Sequence, residues 1–360
     1  MNKITIDTRM IEASGIGTVT QHILQYVITQ SPDIFFYLLG VPAILQKYPF
    51  FVLPNVQCIF CDIPIYSVKE QLILLRKIPS DTNLLWIPHY NIPLLYTGKM
   101  LVTIHDVFHL AMPQFVKRID KKIYAKIVFN TVASKAEAVV VDSCFTKKEL
   151  ISHTNIFPQK VKVVYCGVDE YWKKPLHDVE PIQQAPYILY VGNVKPHKNL
   201  PMLIKAFIKL HHDIPHHLVI VGKKEGFITG DKLVFKLAKQ YADRIQFTGY
   251  ISNEQLKNYY HYADLLVFPS LYEGFGLPPL EAMAAGCSRI LCSDIPVLKE
   301  VYGNSVQYFD HTSEENLVNK MRQILQQAPS KIDRKFIDKY DWDDTGKKYL
   351  DIMKTILSSK

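Results

Sequence analysis

The sequence lacks the features of a membrane-spanning, zinc-bound or disulfide-stabilised protein. Its longest apolar run, Ile34 to Val41, is far shorter than the roughly 20 residues that a transmembrane helix needs. Only six cysteines occur among 360 residues. The lone CxxC pair, Cys58 and Cys61, has no second pair and no histidines at zinc-finger spacing. We therefore expect no structural zinc and cysteines that remain small reduced thiols.

The sequence also lacks a concentration of charge. The net charge is +8, and the excess of Lys and Arg divides equally between the two halves of the chain. Proteins that bind nucleic acid usually carry a basic patch or stripe, so we expect no nucleic-acid partner. A mild, dispersed positive charge favours an anionic ligand or an anionic membrane surface. No secretion signal precedes strand-like Ile4 to Ile6, which predicts a cytoplasmic protein.

What the sequence does contain is a regular alternation of β-like runs and helical segments. Such alternation predicts βαβ units on parallel sheets, and this length favours two domains. The predicted strands are Ile4–Asp7, Phe35–Leu39, Val56–Phe60, Leu84–Ile87, Leu101–Ile104, Ala138–Val141, Val161–Val164, Tyr187–Val191, Leu218–Val221, Ile245–Phe247, Leu265–Phe268 and Arg289–Leu291. The predicted helices include Thr18–Thr29, Ile119–Ser134 and Pro278–Ala285.

The fold class predicted is α/β, with two Rossmann-like domains at residues 1–167 and 187–335. A proline-containing stretch without periodicity, residues 168–186, is predicted to link them. Ligands of such sheets bind beyond the carboxyl ends of the strands, so we expect the active site in a cleft between the domains. Residues 336–360 are predicted as a C-terminal helix that packs on its own domain or crosses back to the first.

The stretch from Glu273 to Glu281, EGFGLPPLE, is the most informative motif. Gly274 and Gly276 permit a tight turn, Pro278 suits a helix start, and the N–H groups there favour an anion such as a diphosphate. Because carboxylates repel a diphosphate, we expect both glutamates to accept hydrogen bonds from hydroxyls. Glu281, placed in the first helical turn, would bind a ribose diol, and Glu273 a hydroxyl of a transferred sugar. Each feature alone fits an ordinary turn, but the nine positions together favour a ligand site.

This stretch resembles the signature of the retaining glycosyltransferases of family 4, or group 1, which have the GT-B architecture. Five further segments agree in order: IDTR with SGIG near the N-terminus, VTIHD, DSCFT, YVGNVKPHKNL and TGYI. The resemblance covers residues 3 to about 300. It implies a nucleotide-sugar donor bound by the second domain, an acceptor bound by the first, and retention at the anomeric carbon.

The resemblance also implies roles for individual residues. The implied donor-binding residues are Gly15, Gly17, Asn193, Lys198, Tyr250, Ile251, Glu273, Phe275, Gly276, Leu277 and Glu281. The implied catalytic residues are Lys198, Glu273, His105 and Asp106. For Gly15 and Gly17, which precede the predicted helix Thr18–Thr29, an ordinary turn is the alternative.

Lys198 is expected to neutralise the donor diphosphate and to stabilise the departing nucleoside diphosphate. Many members of the family carry an arginine directly after the strand-end glycine, where this chain has Asn193. We therefore expect Lys198 to carry the charge alone, the alternative being an ordinary solvated lysine. His105 is expected to contact the donor sugar, and Asp106 lies near the acceptor in the family; a satisfied core histidine is the alternative.

In this interpretation, neither neutralising the donor diphosphate nor the transfer reaction requires a metal ion or a cofactor. No Asp-x-Asp triad follows a predicted strand, so we expect no cofactor and no essential metal. Retention ordinarily calls for a carboxylate nucleophile, and none is assigned, which favours front-side displacement.

The YVGNVKPHKNL stretch resembles bacterial mannosyltransferases, which favours mannose transfer from GDP-mannose to a glycan or lipid-linked acceptor of surface polysaccharide or lipopolysaccharide. A nucleotide-sugar epimerase, a phosphorylase and a non-catalytic nucleotide-sugar-binding protein are the alternatives.

Two stretches of the first domain predict contact with the inner face of a membrane. Ser67 to Glu70 reads as a capping box before an apolar helix that ends in Arg76 and Lys77, and residues 115–126 interleave apolar and basic side chains. Basic amphipathic helices lie on anionic lipid. The commoner alternative is a domain face with one core side and one solvated side.

Overall fold

The computed structural model describes residues 1–116, 118–176, 179–222, 236, 238–329 and 331–359. The chain divides into two compact units, Met1–Gly167 with Asp341–Lys360, and Val168–Tyr340. Residues 168–186, predicted as a linker, thus belong to the second unit, apart from 177 and 178, which lie outside the described residues. The chain returns to the first unit at Asp341.

The first unit contains a seven-stranded parallel sheet. Its strands in spatial order run β3-β2-β1-β4-β5-β6-β7. The three strands β4 to β6 are buried along their whole length, as expected of parallel strands covered on both faces. The strand bounds are β1 Asn2–Asp7, β2 Ile34–Gly40, β3 Val56–Phe60, β4 Leu84–Ile87, β5 Met100–Ile104, β6 Ala138–Val141 and β7 Val161–Val163.

The helices of the first unit connect successive strands, and the last helix of the chain joins them. Their bounds are α1 Ser14–Thr29, α2 Pro42–Leu45, α3 Val68–Lys77, α4 Phe108–Ala111, α5 Ile119–Lys135 and α6 Cys144–His153, with 3₁₀ turns at Pro49–Val52, Pro113–Phe115 and Pro158–Lys160. The C-terminal helix, Trp342–Ser358, packs on α1, where the rings of His22 and Trp342 stack 4.5 Å apart. A Cβ on Gly346 would lie 2.5 Å from Tyr26 Cβ, so the two helices approach closely.

The second unit contains a six-stranded parallel sheet with the order β10-β9-β8-β11-β12-β13. The bounds are β8 Tyr187–Val191, β9 His217–Val221, β10 Ile245–Gly249, β11 Leu265–Phe268, β12 Ile290–Ser293 and β13 Gln307–Phe309. Helices α7 to α13 are Glu170–Lys173, Leu200–Leu210, Asn253–Tyr262, Leu277–Ala285, Pro296–Tyr302, Glu314–Gln326 and Arg334–Ile337, and a 3₁₀ turn spans Pro196–Lys198. The apolar faces of α8 and α12 belong to one core cluster with the sheet.

The structure corrects several predicted boundaries. Helix α1 begins at Ser14 rather than Thr18, and α10 begins at Leu277 rather than Pro278. Strand β13 was not predicted, because a run of three residues is too short to show a recognisable period. Among the described residues, no helix combines the length and apolarity needed to cross a bilayer.

Candidate functional site

The second unit brings Lys198 and Glu273 together at the carboxyl ends of two paired strands, β8 and β11. Lys198 Nζ lies 2.5 Å from Glu273 Oε1, and both side chains are largely buried. A backbone hydrogen bond of 2.8 Å from Leu271 N to His197 O joins the two loops that carry these residues. The two predicted catalytic residues therefore form one ion pair at the edge of the sheet where ligands of parallel sheets bind.

The turn that carries Lys198 is set by its neighbours. Asn199 adopts a left-handed conformation, with φ of +53°, which asparagine tolerates better than most residues. It ends the 3₁₀ turn and starts α8. Asn193, in the same loop, accepts a hydrogen bond of 3.0 Å on its backbone oxygen from Tyr190 Oη. The loop thus fixes the position of the lysine, while Asn193 contributes no charge.

Gly276 is required by the start of α10. Its φ is +95°, and a Cβ there would lie 2.9 Å from Leu298 Cδ2 and 3.4 Å from a Phe268 ring carbon. Tyr302 Oη also donates a hydrogen bond to Gly276 O. These contacts explain the glycine by packing and backbone conformation, and the ligand approach that the sequence predicted stays a prediction.

The N-terminus of α10 offers few backbone donors. Pro278 and Pro279 have no N–H, so the donors of the first turn that remain outside the helical ladder are those of Gly276 and Leu277. The Phe275 side chain is buried against Tyr340, with ring centroids 5.8 Å apart. A donor contact at Phe275 would therefore involve its backbone rather than its ring.

Glu281 lies one residue deeper in α10 than the sequence predicted, since the helix begins at Leu277. Its carboxylate accepts a hydrogen bond of 3.0 Å from Tyr260 Oη. Burial raises the pKa of Glu281 to about 7, although the bond from Tyr260 opposes this shift; the charge of Asp169 adds to it. Once ionised, this carboxylate can accept further hydrogen bonds, such as those of a diol.

Tyr260 is a site residue that sequence reasoning missed. It is fully buried and packs edge-on against Trp172, with centroids 5.6 Å apart. It lies near the end of α9, which begins with a capping box formed by Ser252 and Gln255. In the sequence it reads as an ordinary core aromatic, because its contact with Glu281 joins residues 21 positions apart.

Tyr250 follows β10 and is 78% exposed, while its neighbour Ile251 is partly buried. Gly249, before it, has φ of +76° and open space around its Cβ position. An exposed aromatic ring offers a flat face on which a nucleotide base can stack. The structure therefore presents Tyr250 in a form that suits the predicted base contact.

In the first unit, both ring nitrogens of His105 are occupied by protein groups. Asp142 Oδ2 lies 2.7 Å from Nδ1, and Pro88 O lies 3.1 Å from Nε2. Both partners act as acceptors, which favours the imidazolium. Burial lowers the pKa of His105, but Asp142 outweighs this effect and the net shift is upward.

Asp106, the next residue, accepts a hydrogen bond from Phe108 N at the start of α4. The sugar-contact and acceptor roles of these two residues stay predictions.

Gly15 and Gly17 were predicted in a loop before the helix, and the structure places both in the first turn of α1. A Cβ on Gly17 would lie 2.4 Å from Ile11 O, so this glycine is needed for packing. Gly15 is exposed and has no atom within 4 Å of its Cβ position. A ligand contact at these two residues remains a prediction.

Beneath the end of β1 lies a buried ionic cluster. Arg9 binds Asp7 at 2.5 Å and Glu70 at 2.7 Å, and His89 Nε2 lies 3.3 Å from Asp7. Burial alone would raise the pKa of Asp7, but Arg9 and His89 lower it below its usual range. Half of the predicted capping box is present: Ser67 Oγ accepts from Glu70 N. The Glu70 carboxylate instead binds Tyr66 N and Arg9.

One group of possible metal ligands occurs in the described part of the chain, at Asp294, Asp310 and His311. His311 Nδ1 already lies 2.7 Å from Asp294 Oδ1, and Lys299 Nζ lies 3.5 Å from Asp294. Thr312 N and Oγ1 both donate to Asp310 Oδ1, so ordinary ion pairs and hydrogen bonds account for this group.

Two family models match consecutive parts of the chain. The model described as glycosyl transferases group 1 matches residues 173–340, and glycosyltransferase family 4 matches residues 82–171. Together they cover more than half of the chain.

Among curated proteins, the chain is similar to O-antigen chain mannosyltransferase RfbU of Salmonella typhimurium. The two are 28% identical over 78% of this chain and 75% of that protein. It is also 28% identical to the serotype-specific mannosyltransferase WbdA of Escherichia coli, over 74% of this chain but only 33% of WbdA. The chain thus spans about a third of that larger relative.

Among solved structures, a sucrose-phosphate synthase from Thermosynechococcus elongatus superposes with a TM-score of 0.77 at 17% identity. The superposition covers 100% of this chain and 100% of that chain. Anabaena HepE, solved in complex with UDP and glucose, gives 0.76 at 16% identity, covering 99% of this chain and 100% of that chain. At this identity the likeness shows the fold, which is GT-B, a fold with two Rossmann-like domains.

Proposed function

Because the chain belongs to the family 4, or group 1, glycosyltransferases, we propose that it transfers mannose from GDP-mannose, with retention, to a glycan or lipid-linked glycan of a surface polysaccharide or lipopolysaccharide. The observation that carries the proposal is the Lys198–Glu273 ion pair at the ends of β8 and β11. The mannosyltransferase names of RfbU and WbdA support the choice of sugar.

The donor would be held by groups of the second unit. Lys198 and the N–H groups of Gly276 and Leu277 would bind the diphosphate. Glu281 would accept hydrogen bonds from the ribose diol, and the exposed ring of Tyr250 would stack on the base. When the donor binds, Glu273 would accept a hydrogen bond from a sugar hydroxyl in place of part of its contact with Lys198. The ion pair therefore suits a ligand that carries both an anionic group and a hydroxyl group.

The proposed reaction is a front-side displacement. The bond between the anomeric carbon and the diphosphate oxygen breaks, and the acceptor oxygen forms a bond to the same face of that carbon. The leaving phosphate oxygen takes the acceptor proton, and GDP departs with its charge stabilised by Lys198. This route needs no carboxylate nucleophile, no cofactor and no essential metal, because positioning and charge stabilisation supply the catalysis.

A transfer assay tests the proposal. The purified chain would be incubated with radiolabelled GDP-mannose and lipid-linked glycan extracts, and label in the acceptor fraction would be counted. Lys198→Ala should lower transfer by about 100-fold or more, a loss of the size seen when one charge-stabilising donor is removed. Lys195→Ala is the matched control, because Lys195 is an exposed lysine of the same loop.

Three outcomes would contradict the proposal. Near-normal transfer by Lys198→Ala would exclude the role in binding the diphosphate. Label that stays on the nucleotide with a changed sugar would indicate an epimerase. Tight binding of GDP-mannose without turnover on any acceptor would indicate a nucleotide-sugar-binding protein.

A further inference from the structure

Helix α5 presents a row of isoleucines to solvent. Ile119, Ile123 and Ile127 are 72%, 55% and 50% exposed. Residues four apart on an α-helix are offset by about 40°, so the three side chains form one row. The opposite side of the helix is also apolar and is buried; it comprises Ala125, Val128, Phe129, Val132 and Ala133. A surface helix normally turns a polar face outward, whereas the outward face of α5 carries three isoleucines among its polar residues.

Basic side chains flank this row on one side. Around the helix axis, Lys126 lies about 20° and Lys122 about 60° from Ile119; Lys126 is exposed and Lys122 is partly exposed. The one acidic residue of α5 is Asp120, and its carboxylate is paired with Arg118 at 2.5 Å. We call Ile119, Ile123 and Ile127 with Lys122 and Lys126 the isoleucine face. Lys117, in the same stretch of sequence, lies outside the described residues.

The neighbouring segments repeat this composition. Gln71 of α3 donates a hydrogen bond of 3.0 Å to Tyr124 Oη of α5, and the next residue, Leu72, is 58% exposed. Exposed Lys69 and Arg76 lie three residues before and four residues after Leu72, on the same side of α3.

A further exposed leucine lies beside the end of α5. Lys135 Nζ donates a hydrogen bond of 2.7 Å to Leu94 O, and Leu95 is 66% exposed. Exposed apolar side chains with basic neighbours therefore occur on α5 and on both segments that contact it. Exposed apolar surface rimmed by polar residues marks interaction sites.

We propose that the isoleucine face docks on an anionic lipid bilayer. Apolar side chains with lysines beside them complement a bilayer surface, where acyl chains lie below a layer of negatively charged headgroups. A second copy of this chain fits less well, because docking through the same face would oppose lysines with lysines. The face shares no residue with the proposed donor site, so the inference stands or falls independently of donor chemistry.

Vesicle sedimentation with the full chain tests this inference. Wild type should sediment with phosphatidylcholine vesicles containing phosphatidylglycerol, and at least tenfold less with phosphatidylcholine alone. Combined Ile119→Ser, Ile123→Ser and Ile127→Ser should lower the partition coefficient at least tenfold. Combined Lys122→Gln and Lys126→Gln should reduce both binding and its dependence on salt.

The control is Phe157→Ser, which removes a 68% exposed aromatic of the same unit and should bind as wild type does. Because the isoleucines are exposed, unchanged circular-dichroism melting would show that the triple variant is folded. An Ile123→Trp variant should show a blue-shifted emission only with anionic vesicles. Wild-type partitioning by the triple variant would overturn the proposal, as would a dimer in solution that the triple variant abolishes.

Discussion

Glu281→Gln should have opposite effects on the stability of the free protein and on donor affinity. The folded protein raises the pKa of Glu281 from 4.5 to about 7, so the folded state holds this proton more tightly than the unfolded chain. Stability therefore falls as the pH rises from about 4.5 towards 7, and the loss is complete above that. Glu281→Gln removes the buried charge, so the variant should not lose stability in this pH range and should be more stable than the wild type above about pH 7.

The size of the effect follows from the shift in pKa. Each pKa unit corresponds to about 1.4 kcal/mol, so the gain in the free energy of unfolding at pH 8 is at most about 3 kcal/mol. The residue keeps some contact with solvent, which reduces the gain. At pH 5 the gain should be below about 1 kcal/mol. Urea denaturation at the two pH values measures the difference.

Donor affinity should change in the other direction. Replacing a charge-assisted acceptor of the ribose diol by an amide should weaken nucleotide-sugar binding by about 10- to 100-fold. In the wild type, affinity should rise with pH through about 7, where the Glu281 carboxylate forms. Tyr260→Phe removes the bond that lowers this pKa and should move the midpoint to higher pH. A variant less stable than wild type at pH 8, or one with unchanged donor affinity, would refute this reasoning.

Three other predictions concern the fold and the metal. Gly276→Ala should lower the free energy of unfolding by more than about 1 kcal/mol, because the residue has a positive φ. Gly15 has open space around its Cβ position, so the free energy of unfolding of Gly15→Ala should be within about 0.5 kcal/mol of the wild-type value or higher. Urea denaturation measures both. Arg9→Met leaves Asp7 and Glu70 buried without their cation and should cost about 3–5 kcal/mol; a loss below about 1 kcal/mol would contradict this. Transfer should survive excess chelator, and a loss restored by a divalent ion would show an essential metal.

The sequence predicted the sheets well because their central strands are nearly continuous apolar runs. Val139 to Val141 and Leu265 to Phe268 are buried on both faces, and such runs are recognisable without any tertiary information. Helix starts were harder. Ser14 begins α1 with φ of +47°, a conformation that no local preference of serine indicates.

Long-range pairs could not be predicted from the sequence. The bonds from Tyr260 to Glu281 and from His105 to Asp142 join residues 21 and 37 positions apart, and each depends on the order of the strands. The isoleucine face illustrates the same limit. The sequence showed apolar and basic residues interleaved, but only the structure places Val128 inside and Ile127 outside.

Calorimetric titration with GDP-mannose measures whether the second unit binds a nucleotide-sugar through Lys198 and Glu281. We expect saturable binding by the wild type and by Lys195→Ala, with affinity at least tenfold weaker in Lys198→Ala and in Glu281→Gln. Equal affinity in all four proteins, or no heat of binding with the wild type for GDP-mannose or any other nucleotide-sugar, would contradict it.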